Sequence, residues 1–163
     1  MVNGRTNKLW ENFKNKVKTS DINIRPCRSE ECAIILKIWK EAGSTPSVSD
    51  SLESLELLLQ ENNDLLLVAE LDDLIVGTVI GGWDGWRGNI YRLAVLPEYR
   101  RQGIGRALVL ETEKRLAQRG ARKISVLVEQ EEDLAVAFWD SLKDAGYELD
   151  SRFIRYTRVI PGL

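Results

Sequence analysis

Apolar residues near the start of the chain follow a strand pattern and then a helical one. Ile22, Ile24 and Pro26 indicate an edge strand. In residues 29–43 and 49–62, apolar side chains recur three and four positions apart, which predicts two amphipathic helices.

The spacing changes to alternation in the middle of the chain. Residues 65–71 and 74–80 have strand-like patterns and are separated by two aspartates, so we predict a β-hairpin. A glycine-rich loop over residues 81–88 and a further strand over residues 90–96 follow.

The last third of the chain mixes both patterns. A strongly amphipathic helix is predicted over residues 103–119, a strand over 123–128 and another helix over 134–142. Two strands over 147–149 and 152–160 complete the order. The pattern predicts a mixed α/β sheet with helices on both faces.

Length and composition bear on the number of domains. The chain has 163 residues, 44% hydrophobic and 29% charged, enough for one ordinary core but not for two full domains. We predict one domain over residues 21–163, after an extension over residues 1–20 that is either a short amphipathic helix or a loose tail. No long apolar run or charged-then-apolar leader is present, so the expected location is the cytoplasm.

Two residue types narrow the chemistry. The chain contains no histidine, which excludes Ser-His-Asp and Cys-His catalysis as well as histidine-ligated zinc. Cys27 and Cys32 are not spaced as a zinc knuckle and are expected to be reduced core thiols. We therefore expect no metal, and a reaction that uses carboxylates, tyrosines, backbone amides or a bound co-substrate.

The segment at the start of the helix over residues 103–119 has the features of a phosphate-binding loop. Gly103 and Gly105 allow the backbone to approach a ligand, and the first N–H groups of a helix have no partner within it. Residues 97–123 carry eight basic and three acidic side chains, an excess of five positive charges in a chain of net charge −2. A Rossmann fingerprint would need glycine in place of Leu108, and a Walker loop would need Gly-Lys-Ser/Thr.

The run Arg100-x-x-Gly103-x-Gly105, preceded by a strand ending Leu-Ala-Val-x-Pro-Glu-Tyr-Arg, resembles the acetyl coenzyme A motif of the GNAT superfamily of N-acetyltransferases. The resemblance spans roughly residues 22–159 and is strongest to the small ribosomal-protein-alanine acetyltransferase and YpeA-like branch. It implies the GNAT fold, with a mixed, mostly antiparallel sheet of about six to seven strands, flanked by about four helices and splayed at the cofactor strand. It also implies that acetyl coenzyme A is the co-substrate.

The resemblance also assigns a cofactor site. It implies that loop amides bind the pyrophosphate and that the preceding strand pairs with the pantetheine arm. The implied positions are Leu93, Ala94, Val95, Arg100, Arg101, Gln102, Gly103, Ile104, Gly105, Arg106, Glu132 and Trp139. In the family mechanism an amine attacks the thioester directly, and a backbone N–H near Val95 stabilises the oxyanion.

The acid and base that are usual in the family are missing. Leu127 stands where related enzymes have a glutamate base, and Trp139 stands where many have a tyrosine acid. A third departure is Glu132, at the position of a cofactor-contacting asparagine. Asp84 and Tyr91 are our candidates for catalytic side chains, although residues in such positions are more often simply a turn former and a core-edge residue.

Three classes of function are compatible with the sequence. The first is an N-acetyltransferase acting on a peptide α-amine or a small-molecule amine, with a preference for amines of low pKa because the base is missing. The second is a noncatalytic acyl coenzyme A binding or regulatory module, which Leu127 and Trp139 would suit. The third, nucleic-acid binding, fits less well because aromatic residues are not interleaved with the arginines.

The expected partners follow from the charge. A net charge of −2 favours neither nucleic acid nor a membrane surface, whereas seven excess negative charges between residues 129 and 150 suggest that some carboxylates face a cationic acceptor. Whether the chain forms a homodimer is left open by the sequence.

Overall fold

The computed structural model describes residues 21–160, which contain one five-stranded sheet in the order β1-β2-β3-β4-β5. The strands are Asn23–Pro26 (β1), Leu66–Leu71 (β2), Leu74–Trp83 (β3), Gly88–Val95 (β4) and Ile124–Val126 (β5). The helices are Cys32–Glu41 (α1), Leu52–Asn62 (α2), Ile104–Gln118 (α3) and Asp133–Asp140 (α4). Adjacent strands are antiparallel except β4 and β5, which are parallel. The predicted extension over residues 1–20 lies outside the described residues.

Local sequence explains where two of these elements begin and turn. The Ser51 hydroxyl accepts the N–H of Ser54 at 3.1 Å and so caps α2. Asp72 and Asp73 adopt φ angles of 49° and 63°, the left-handed conformation of a two-residue hairpin turn that aspartate tolerates. The predicted hairpin between β2 and β3 is therefore present.

The two faces of the sheet form two separate apolar clusters. Side chains alternate along β2, so Leu67 and Ala69 pack in the cluster with α3, whereas Leu66 and Val68 pack in the cluster with α1 and α2. All four of these side chains are fully buried. A mostly antiparallel sheet covered on both faces confirms the predicted α/β class.

The sheet is smaller than the sequence pattern suggested. The described residues form five strands rather than six to seven, because residues 147–149 and 152–160 pair with no neighbour. Leu149 and Tyr156 are each 88% exposed there. Their residue types favour strands, but strand stability comes from pairing and packing, which a local pattern does not report. The glycine-rich loop is also shorter than predicted, because β3 continues to Trp83.

A partly buried ionic network joins β1, β2 and the segment before α1. The Arg25 guanidinium donates to Glu31 Oε1 at 2.7 Å and to Glu70 Oε2 at 2.9 Å. Hydrogen bonding to Arg25 holds the pKa of both carboxyls below the ordinary value, and the two carboxylates raise the pKa of Arg25. The network ties an edge strand to the body of the domain.

The two cysteines are buried in the core and unpaired, as predicted. Cys27 and Cys32 are free thiols that are 6% and 2% exposed. Burial raises the pKa of Cys27 to about 12, so its thiolate is disfavoured.

Among residues 21–160, no three His, Cys, Asp or Glu side chains form a group that could bind a metal ion. None of the described helices has the length and hydropathy needed to span a membrane.

Candidate active site

The site is built where β4 and β5 separate. The two strands pair at only three positions, the last of which joins Ile90 to Val126. Beyond Ile90, β4 pairs with β3 alone and its other edge faces a cleft. The expected splay at the cofactor strand is therefore present in this sheet.

A β-bulge accounts for the separation. Arg92 and Leu93 together oppose Val79 of β3, and Arg92 has a φ of 50°. An extra residue in one strand bends that strand and increases its twist, which directs β4 away from β5. No residue type in this stretch signals the bulge, because arginine has no special preference for a positive φ.

The side chain of Arg92 is held by residues of the loop between α1 and α2. Its guanidinium donates to the Asp50 carboxylate at 2.6 Å and to the Thr45 carbonyl oxygen at 2.8 Å. It also lies 5.2 Å from the ring centroid of Trp39, whose Nε1 donates to Thr78 Oγ1 at 2.9 Å. These contacts offset the strain of the bulge and place the loop after α1 at the cleft.

The cleft has a volume of about 540 Å³ and contains nearly all the predicted site residues. Those that line it are Tyr91, Leu93, Ala94, Val95, Arg100, Arg101, Gly103, Ile104, Gly105, Arg106, Glu132 and Trp139. Gln102 belongs to the same loop but does not line the cleft, and its Nε2 donates to the Glu98 carbonyl oxygen at 3.2 Å. The sequence thus identified one contiguous surface.

The backbone N–H of Val95 points into the cleft. Leu96 N donates to Val76 O at 2.9 Å, which makes Gly77 and Val95 a non-hydrogen-bonded pair of the antiparallel ladder. The N–H and C=O of Val95 therefore point away from β3. The carbonyl oxygen accepts from Arg100 Nε at 3.0 Å, whereas the N–H has no acceptor within the described residues.

The first turn of α3 presents a row of unused donors to the same cleft. The first helical hydrogen bond runs from Ala107 N to Gly103 O at 3.0 Å, and within residues 21–160 the N–H groups of residues 103–106 find no acceptor. Gly103 has a φ of 83°, which favours glycine at this position. Free N–H groups at a helix N-terminus are suited to bind phosphate oxygens. The arrangement fits the pyrophosphate of coenzyme A.

Packing against α4 favours glycine at position 105. A Cβ atom at this position would lie 3.0 Å from Cε2 of Phe138, which belongs to α4. The close approach of α4 to the start of α3 forms one wall of the cleft.

The three arginines of the loop have different environments. Arg100 donates to the carbonyl oxygens of Val95 and Ala42, the latter at 2.7 Å, and so joins β4 to the end of α1. Arg106 forms a two-pronged ion pair with Asp144, at 3.0 and 2.7 Å. In the part of the chain that the structure describes, the exposed Arg101 has no such partner. Arg101 is thus the loop cation that is available to a ligand.

Of the two candidates for catalytic side chains, Tyr91 lines the cleft and Asp84 does not. Asp84 lies outside it, where Oδ1 accepts the N–H groups of Trp86 and Arg87 at 2.8 and 2.7 Å. These hydrogen bonds lower the pKa of Asp84, which makes it a poorer proton acceptor and a good turn residue. Tyr91 lines the cleft at the point of separation and is 43% exposed.

The positions of the missing acid and base also lie at the cleft. Leu127 is 56% exposed there, and Trp139 packs edge-on against Phe138 with centroids 5.3 Å apart. Neither side chain can transfer a proton. The carboxylates of Glu129 and Glu132 line the cleft instead. The acidic run pointed towards them, but Thr45 and Arg92 carried no signal in the sequence.

Comparisons with known proteins agree with this geometry. The sequence profile of the acetyltransferase (GNAT) family matches residues 33–144. An acetyltransferase of Pectobacterium atrosepticum is 34% identical over 122 residues, which are 75% of this chain and 86% of that relative.

Two solved structures show similar folds. The PaiA N-acetyltransferase from Thermoplasma acidophilum, in complex with coenzyme A, has a TM-score of 0.64 and 23% identity, over 74% of this chain and 87% of that one. The aminoglycoside acetyltransferase meta-AAC0020, from an uncultured soil metagenomic sample and in complex with trehalose, has a TM-score of 0.65 and 26% identity. That match covers 86% of this chain and 99% of the other.

Proposed function

Because the chain belongs to the acetyltransferase (GNAT) family, we propose that the β4–β5 cleft binds acetyl coenzyme A and an acceptor amine together, for direct transfer between them. The family match and its relatives support an N-acetyltransferase that uses acetyl coenzyme A as co-substrate. Acetyl coenzyme A supplies an acyl group that its thioester activates.

The observation that carries the proposal is the set of unused backbone donors in one cleft. The N–H groups of residues 103–106 would bind the pyrophosphate, with Arg101 adding a positive charge. The exposed edge of β4 around Leu93 would pair with the amides of the pantetheine arm, which leaves the N–H of Val95 for the thioester. Glu132 and Trp139, on the opposite wall, complete the proposed cofactor site.

The main catalytic group in this proposal is the N–H of Val95. It would donate to the carbonyl oxygen on which negative charge develops, an interaction that contributes about 3 to 4 kcal/mol in comparable sites. Arg100 positions Val95, because its guanidinium donates to the carbonyl oxygen of Val95 itself. Tyr91 is the candidate for proton transfer because it lines the cleft, whereas Asp84 lies outside.

An acceptor amine of low pKa would compensate in part for the missing general base, because more of it is already neutral. At pH 7, a lysine side chain with a pKa of about 10.4 is neutral in only about one molecule in 2,000, whereas an α-amine near 7.7 to 8.0 is neutral in roughly a tenth. With Leu127 in place of a base, a peptide α-amine or another weakly basic amine is the favoured acceptor. The match to an aminoglycoside acetyltransferase supports a small-molecule amine as the alternative.

A comparison of two peptides tests this acceptor preference. One peptide has a free α-amine and no lysine, and the other has a blocked N-terminus and one internal lysine. Release of free thiol from acetyl coenzyme A at pH 7 should give a kcat/KM at least about tenfold higher for the α-amine. A clear lysine preference would contradict the proposed acceptor, and the lack of amine-dependent release from any amine would instead favour a noncatalytic binding module.

Two finer assignments stay predictions. The first is membership of the ribosomal-protein-alanine acetyltransferase and YpeA-like branch, and the second is a homodimer.

A further inference from the structure

The mouth of the cleft is crossed by a contact between two distant segments. Thr45, in the loop after α1, donates from Oγ1 to Oε2 of Glu129 at 2.9 Å, although the two residues are 84 positions apart. Both residues are exposed and both line the cleft. Glu129 follows β5, so the contact spans the opening between the strand β5 and the helix α1.

Glu129 forms no ion pair with a basic side chain within residues 21–160. The nearby cation at the mouth, Arg92, is already paired with Asp50 at 2.6 Å. The only side-chain partner of Glu129 within residues 21–160 is the neutral hydroxyl of Thr45. A carboxylate at the mouth of a cleft, with a partner that supplies no charge, is available to a cationic ligand.

This end of the cleft is distinct from the phosphate end. Thr45 follows α1, which packs on one face of the sheet, whereas the loop donors and Arg101 precede α3, which packs on the other. The cleft therefore combines the basic loop before α3, which is suited to phosphate, with the carboxylate of Glu129 after β5. Coenzyme A would occupy the first and leave the second to the acceptor.

The acetylated nitrogen itself is a poor partner for Glu129. A carboxylate close to an amine stabilises the protonated form and raises the pKa of the amine. The nitrogen that attacks the thioester must be neutral, so an ion pair with it would oppose the reaction. A second, non-reacting cationic group has no such conflict.

We propose that Glu129 binds a second ammonium group of the acceptor, with the Thr45 hydroxyl orienting the carboxylate. The inference rests on the proposed function and adds a substrate class to it, an amine that bears another cationic group beside the one acetylated. Glu129 is thus a specificity-determining residue.

The test compares two acceptors of equal length, putrescine and the amino alcohol in which a hydroxyl replaces one of its two amines, at pH 9, where a larger fraction of such amines is neutral than at pH 7. Glu129→Gln keeps an oxygen that can accept from Thr45 but removes the charge. We expect the KM for putrescine to rise about two- to fivefold at low salt, the range of an exposed ion pair. The KM values for the amino alcohol and for acetyl coenzyme A should not change, and the effect should shrink at high salt.

Two further variants separate charge from position. Glu131→Gln is the matched control, because Glu131 is exposed and does not line the cleft, so the wild-type KM for putrescine should be retained. Thr45→Val removes the hydrogen bond but keeps the charge, so putrescine should still be preferred over the amino alcohol. The inference is overturned if Glu129→Gln leaves the KM for putrescine unchanged, or no higher than that of Glu131→Gln. It is also overturned if Glu129→Gln raises the KM for putrescine and the KM for the amino alcohol equally.

Calorimetry on the complex with coenzyme A distinguishes this inference from the proposed function. Putrescine should bind that complex with an affinity that falls about two- to fivefold in Glu129→Gln, whether or not acetyl transfer occurs. Glu129-dependent binding of putrescine without acetyl transfer to any amine, the α-amine peptide included, would overturn the proposed function alone. Transfer that is independent of Glu129 would overturn this inference alone.

Discussion

At the scale of single residues, Arg100 and Arg101 have the same charge and adjacent positions but different tasks. Arg100 donates to two backbone carbonyl oxygens, those of Val95 and Ala42, and is partly buried. Arg101 is exposed, has a φ of 62° and makes no ion pair among the described residues. One side chain therefore serves the fold and the other is available to the co-substrate.

Replacement of each arginine by methionine should separate these tasks. Arg101→Met should raise the KM for acetyl coenzyme A about three- to tenfold, more at low salt than at high salt, and leave the free energy of unfolding unchanged. Arg100→Met should lower the free energy of unfolding by about 1 to 3 kcal/mol, because two carbonyl oxygens lose a charged donor. Steady-state kinetics and urea denaturation measure the two effects. A loss of stability in Arg101→Met together with unchanged stability in Arg100→Met would contradict the assignment.

The sequence predicted the residues of the loop better than their roles. A glycine pair after a strand and a basic cluster at a helix start were enough to locate a turn with free N–H groups, the feature that a phosphate site needs. The contacts of Arg100 and Arg106 could not be predicted, because Ala42 and Asp144 are brought to them only by the tertiary fold.

At the scale of elements, the edge strand β1 depends on the ionic network around Arg25. Glu31 lies in the turn before α1 and is 8% exposed, and Glu70 lies on β2. Because Arg25 lowers the pKa of Glu31 in the folded state, the ionised carboxylate contributes stability above the ordinary pKa of 4.5. That contribution is lost as the pH falls through the lower, folded-state pKa.

Glu31→Gln should therefore reduce the loss in the free energy of unfolding that the wild type shows at acid pH. We expect the variant to be about 1 to 3 kcal/mol less stable than the wild type at pH 7, with a difference that shrinks below pH 4.5. Chemical denaturation over a pH series measures this. Glu30→Gln is the control, since Glu30 is exposed beside it and should leave the profile unchanged. A difference that stays constant with pH would show that the ion pair is not the cause.

The elements themselves were predicted unevenly, for a physical reason. The helices and the β2–β3 hairpin follow from local periodicity and turn residues, and the structure contains them. Residues 152–160 have the composition of a strand but remain unpaired, with Ile154 79% exposed. Pairing is a long-range property, so composition alone overestimated the sheet.

At the scale of the whole molecule, the cleft exists because β4 diverges from β5. The bulge at Arg92 turns β4 away from β5, and the loop and α3 then place free N–H groups beside the opened edge. No histidine is present in the sequence, and Leu127 and Trp139 supply neither acid nor base. We therefore propose that catalysis depends mainly on the backbone N–H of Val95.

The most direct test of this assignment is the kcat of Val95→Pro, compared with that of Val95→Ala. Proline removes the N–H, and it removes no hydrogen bond to β3 because that N–H points into the cleft. Alanine shortens the side chain but keeps the N–H. We predict that both variants bind coenzyme A within about threefold of wild type, and that only Val95→Pro loses kcat, by about 100- to 1,000-fold. A Val95→Pro variant that binds coenzyme A and transfers acetyl as fast as Val95→Ala would contradict the account.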